Sequence, residues 1–169
     1  GVWINSDVCG PDGKDRTVRL TLRSDDGQNP EKPRRDLAEM SKEDVAAYVD
    51  ALSTRARFDQ FVVDYRFPVA YTRKDEVIEL SFADAMDFLT RKDYTDSWLS
   101  ELHEQFCGLE YADWKAVLAD VGFEVDGASR AWRNDWVVDN RIAPVAGLGN
   151  NEPWPVTHVL LVARRPLNT

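Results

Sequence analysis

The sequence predicts a mixed α/β domain, and three stretches carry that prediction. In W-K-A-V-L-A-D-V-G-F-E-V, Trp114, Val117, Leu118 and Val121 follow the i, i+3, i+4, i+7 spacing of an amphipathic helix. Gly122 stands where such a helix stops, because glycine enters the left-handed conformation without strain, and Phe123 falls where the chain packs back on the last turn. Phe123–Val125 then begins a strand. In V-T-H-V-L-L-V-A-R-R-P, Val156–Ala163 is an almost unbroken apolar, β-branched run, the pattern of a strand buried on both faces. The opening G-V-W-I-N-S-D supplies a further strand over Val2–Asn5, with Ser6 and Asp7 leaving its carboxyl end.

In this order, with the chain ending just after the last strand, the phrases resemble the C-terminal end of a class I, Rossmann-like S-adenosylmethionine-dependent methyltransferase. The resemblance covers residues 1–10 and 110–169, and the segment Asp12–Gly108 matches only as an insertion. It implies an α/β fold with a partial Rossmann-like sheet, strands ordered five, seven, six, the last one antiparallel, and a largely helical insertion. It also implies S-adenosylmethionine as the cofactor of the full-length protein. Members of that family hold the cofactor with a glycine-rich turn and an acidic residue in their first half. This chain has no G-x-G-x-G or G-x-G-x-x-G, and its G-L-G at 147–149 follows no recognisable strand. The chain begins inside a strand without methionine, so it reads as the C-terminal part of a longer protein that binds no cofactor alone.

Composition agrees with one compact soluble domain over 1–169, since 43% hydrophobic and 11% aromatic residues suffice for a core. No apolar run approaches the length of a membrane span, and no signal peptide precedes the first strand. A net charge of −9 argues against general binding to a nucleic-acid backbone, which needs clustered lysine and arginine. Cys9 and Cys107 have no metal-ligand spacing, which fits a reduced, cytoplasmic chain.

Within the insertion, Thr17–Leu22 alternates apolar and polar residues as a half-exposed strand does, and 24–36 is a polar loop. Ser41 caps a helix with Val45, Tyr48, Val49, Leu52 and Ala56 on its apolar stripe; Phe58, Phe61, Val62 and Tyr65 continue at a spacing that fits helix or strand. Arg55 and Arg57 read as a solvated helix end or as cleft residues. Val77–Leu80 is a short strand, and Ser81 caps a helix with Phe82, Ala85, Met86 and Leu89 inward. In K-D-Y-T-D-S-W-L-S-E-L-H-E-Q-F, a helix places Leu99, Leu102, His103 and Phe106 on one stripe. Glu101, His103 and Glu104 cannot converge on a metal from one regular helix, so no metal site is expected.

Candidate site residues follow from position. Ligands of open α/β sheets bind outside the carboxyl ends of the strands, which nominates Asn5 and Asp7, although a loop aspartate also bonds to its own turn. The segment S-R-A-W-R-N-D-W-V-V-D-N-R-I-A-P lies in the resembling fold near the substrate end of the sheet. Asn134 there caps a short helix, and Trp136 and Arg141 either suit a planar or anionic ligand or anchor a loop whose polar groups are satisfied locally. His103 is either a satisfied core histidine or the general base of the substrate cleft. The expected function is therefore the substrate-recognising part of a methyltransferase acting on a small-molecule or macromolecular acceptor. Its partner is the missing N-terminal half or a second copy paired along the open strand edge, unless 17–22 covers that edge. A non-catalytic binding module with a methyltransferase-like tail is the alternative. Another α/β transferase or hydrolase ranks last, because no G-x-S-x-G, P-loop or histidine-rich motif is present.

Overall fold

Two antiparallel sheets, each with its own apolar core, divide the chain. The structure is a computed structural model that describes residues 1–23 and 34–166. In chain order its elements are β1 (Val2–Val8), β2 (Thr17–Leu22), α1 (Lys42–Asp50), α2 (Thr54–Asp64), β3 (Tyr71–Lys74), β4 (Val77–Ser81) and α3 (Phe82–Arg91). They continue as α4 (Trp98–Glu101), α5 (Tyr111–Asp120), β5 (Glu124–Val125), β6 (Arg130–Trp132), α6 (Asp135–Val137), β7 (Ala146–Leu148) and β8 (His158–Arg164). Among the described residues no helix is long and apolar enough to cross a membrane.

In the first sheet β8 lies between β1 and the pair β5 and β6, antiparallel to all three. The order expected for the first, last and Phe123–Val125 strands is observed as β1–β8–β5, and β6, in a segment expected as a loop, pairs with β8 as well. Helix α5 covers one face, with Leu118 packing near Val159, Leu161, Ala163 and Cys9. Its stripe is narrower than the sequence predicts: Tyr111, Trp114 and Leu118 pack inward, while Val117 and Val121 are exposed. Gly122, at φ 82°, ends the helix in the expected left-handed conformation, with its N–H donating to Ala119 O and that of Phe123 to Leu118 O.

Strand β8 is buried on one face only, which corrects the two-sided burial expected for 156–163. Val159, Leu161 and Ala163 are buried, whereas Leu160 and Val162 are half-buried. Their neighbours Ile4 and Val2 on β1 are 66% and 63% exposed. Strand β1 also extends through Ser6 and Asp7 to Val8 instead of stopping at Asn5.

The insertion carries, beside its helices, strands that join β7 in a second sheet. Its order is β3–β4–β2–β7, antiparallel throughout. Strand 17–22 pairs with β4 and β7, so it does not cover the β1 edge, and G-L-G at 147–149 belongs in part to β7. The β3–β4 hairpin turns through Asp75 at φ 55°. Helices α1, α2 and α3 pack on this sheet, each started by a serine whose hydroxyl accepts a backbone N–H: Ser41, Ser53 and Ser81. Ser53 also separates α1 from α2, where the continuous apolar spacing gave no sign of a break. Of the polar loop expected at 24–36, residues 24–33 lie outside the described residues.

A buried ion pair fastens this body together. Asp87 and Arg91, one turn apart on α3, are 0% exposed and approach to 3.0 Å. Asp87 also accepts from the Tyr65 hydroxyl at 3.0 Å and from the backbone N–H groups of Phe106 and Cys107 at 2.9 and 3.2 Å. Arg91 donates to Glu104 O and lies 3.9 Å from the Phe106 ring centroid. These bonds hold 104–107 in an irregular course, and the helix expected to run to Phe106 ends at Glu101.

Removing one partner leaves the other charge buried and uncompensated. Asp87→Ala is therefore expected to lower the unfolding free energy by about 3–5 kcal/mol, measured by urea denaturation. Asp87→Leu with Arg91→Met is expected to recover part of that loss; an equal loss in both proteins would place the stabilisation in the hydrogen bonds instead of the charges.

Candidate functional site

The carboxyl end of β1 opens on a cavity of about 320 Å³ where the first sheet meets the α3 body. Val8 and His158, paired across β1 and β8, form one wall. Leu89 and Thr90 near the end of α3, with Asp93 and Tyr94 beyond it, form a second. Trp136, Val137 and Arg141 close the third. This last wall exists because Asn134 Oδ1 accepts the Val137 N–H at 3.3 Å, capping α6, and the turn 138–142 then brings Arg141 round.

Of the residues nominated from sequence, Trp136 and Arg141 line this cavity, and Asn134 supports it as a cap. Asn5 and Asp7 do not line it. Strand alternation sends them to the face opposite Val8, and Asp7 Oδ1 accepts its neighbour's N–H, that of Val8, at 2.7 Å. His103 is likewise elsewhere: the early stop of α4 leaves it exposed in the turn that follows, so neither the core reading nor the cleft reading describes its place.

The histidine that does face the cavity is His158, inside the apolar run expected to be buried on both faces. Its Nδ1 lies 2.8 Å from Thr157 Oγ1, and that oxygen accepts the backbone N–H of Asn134 at 2.9 Å. The ring lies 5.7 Å from the Trp132 ring. Burial holds the imidazole below its ordinary pKa, with Asp7 acting weakly in the opposite direction. Period-two alternation from Val159, Leu161 and Ala163 was the signal that could have placed His158 on the other face.

Charge around the cavity is organised by Asp93. The Lys92 ammonium lies 2.8 Å from both its carboxylate oxygens, Arg57 Nη1 at 3.3 Å and Arg141 Nη1 at 3.7 Å. Arg57 is not the solvated helix end expected, because it also donates to the carbonyls of Val49, Asp50 and Lys92. Arg55 instead pairs with Glu76. Arg141 is the least engaged of the three cations around Asp93, at 56% exposure, and sits 5.8 Å from the Trp136 ring centroid.

Other reactive groups do not compete with this site. Burial pushes Cys9 up to about 11 and Cys107 well above its ordinary value, which withholds the thiolate from both. Among the described residues no group of three or more histidine, cysteine, aspartate or glutamate side chains is placed to hold a metal ion.

His158 should titrate below 6.5 by NMR, and Asp7→Asn should move its midpoint further down, since the carboxylate favours the protonated ring. A depressed folded-state value means that the contribution of neutral His158 to stability is present above pH 6.5 and is lost as pH falls through the folded value. A midpoint at or above 6.5 would contradict the desolvated position. Comparison with protein-family models, with curated proteins and with solved structures finds no match to this chain.

Proposed function

We propose that this chain is the substrate-recognising C-terminal part of an S-adenosylmethionine-dependent methyltransferase of the Rossmann-like class, acting on a small-molecule acceptor. The observation that carries the reading is the position of the cavity, at the carboxyl end of β1, where open α/β sheets bind their ligands. The order β1–β8–β5, with the last strand antiparallel between two parallel neighbours, and the Gly122–Phe123 helix stop support it.

Among the described residues, the G-L-G at 147–149 does not fit a cradle for the cofactor. It enters a strand paired with β2, and a side chain at Gly149 would meet Arg19 Cβ at 2.9 Å. Binding of S-adenosylmethionine is therefore assigned to the companion N-terminal half of the same protein. Within this chain, Trp136 and Arg141 orient the acceptor, and Thr157 fixes the ring of His158. When Nδ1 carries the ring proton, His158 Nε2 is free to take the proton that a hydroxyl or amine acceptor gives up.

The uncovered apolar surface agrees with a companion. Val2 and Ile4 with Leu160 and Val162 make a half-open sheet face beside the edge of β1 that no strand pairs with among the described residues, a template for another strand. The companion half is the proposed occupant, and a homodimer paired along β1 is the competitor that sedimentation would reveal.

Calorimetry with S-adenosylmethionine, on this chain and on the chain extended upstream in its reading frame, tests the proposal. Binding by the extended protein alone is expected. Tight binding by this chain alone would overturn the assignment of the cofactor to the companion half. Binding by neither would sink the methyl-transfer reading in favour of a non-catalytic module.

A further inference from the structure

We propose that the cavity between β1, α3 and α6 selects a planar aromatic carboxylate. The inference deepens the methyltransferase reading by naming the class of acceptor, and it rests on that reading only for the word acceptor. Three observations converge on it.

The first is charge. In a chain of net charge −9, the carboxylate of Asp93 on the wall of this cavity is met by three cations, Lys92, Arg57 and Arg141. Asp93 already receives Lys92 at 2.8 Å and Arg57 at 3.3 Å, so the more distant Arg141, at 3.7 Å, is the cation left to recognise a ligand. A guanidinium presents a planar fork of donors that matches a carboxylate. One such group suits a monoanion, whereas a phosphate dianion calls for a cluster.

The second is the pair of aromatic rings. Tyr94 is 43% exposed and Trp136 62% exposed, and both line the cavity. Large rings left in water beside a cavity are faces on which a flat ligand stacks. The Arg141 guanidinium lies over the Trp136 ring, 5.8 Å from its centroid, so a flat ligand that shares this ring face meets the guanidinium at its edge. The third is size and floor. About 320 Å³ lies at the small end of ligand cavities, and Val8, Leu89 and Val137 give it an apolar lining suited to one or two fused rings.

Ligand-detected NMR with the whole chain tests the inference, using 2-naphthoate, the neutral 2-naphthamide and the saturated cyclohexanecarboxylate. Naphthoate is expected to bind saturably and about tenfold tighter than either control. Arg141→Ala should weaken naphthoate about tenfold while leaving naphthamide unchanged, and Trp136→Ala should weaken both ring compounds with partial retention in Trp136→Phe. Both positions are exposed, so unchanged thermal unfolding is expected of the variants. Equal affinity for acid and amide, indifference to Arg141→Ala, or no saturable naphthoate binding would each overturn the proposal. The two readings also fail separately. Naphthoate selectivity without S-adenosylmethionine binding by the extended protein upholds the ligand class and sinks methyl transfer; the converse result sinks the ligand class alone.

Discussion

The contact on which the fold most depends is the Asp87–Arg91 pair, because it joins α2, α3 and the 104–107 segment at one buried point. Both side chains are removed from water, a cost that only close pairing and additional hydrogen bonds offset. Those bonds come from Tyr65 at the end of α2 and from the 104–107 backbone. The same contacts stop α4 and turn the chain towards β1. There Gly10 donates to Leu109 O at 2.8 Å, and a side chain at Gly10 would meet Cys107 O at 2.5 Å. Only a glycine permits that approach. The ion pair in the insertion thus determines where the first sheet is attached.

That dependence explains how the cavity is assembled. Its walls come from β1 and β8 in one sheet, from the end of α3 in the other body, and from the 134–142 segment between them. No single motif contains the site. Val8 and His158 are brought together by strand register, Asp93 by the end of a helix, and Arg141 by the turn after a capped segment.

Local signals were legible in the sequence where a residue acts on its own neighbours. Ser41, Ser81 and Asn134 cap as their spacing predicts, Gly122 ends its helix, and strand 17–22 has the predicted bounds. The misses share a cause: each depends on a partner far away in the chain. Asp87 and Arg91 at i, i+4 look like an ordinary exposed pair, and only the distant 104–107 backbone makes them internal. Short β7 becomes a strand because β2 offers an edge. His103 looked buried on a helical stripe that the Asp87 contacts interrupt. Two cavity residues, Trp136 and Arg141, were legible because a crowded polar–aromatic loop is unusual in itself; His158 was hidden by an apolar run whose second face is only partly covered.

The segment from β6 to β7 is fixed at both ends, to β8 in the first sheet and to β2 in the second. It crosses from one core to the other and carries Trp136 and Arg141 on the way. Such a segment ties the two sheets together. A shift of one sheet against the other must be taken up in the 133–145 span, and the cavity wall moves with it. A ligand held against this wall therefore sits where the two sheets are tied together.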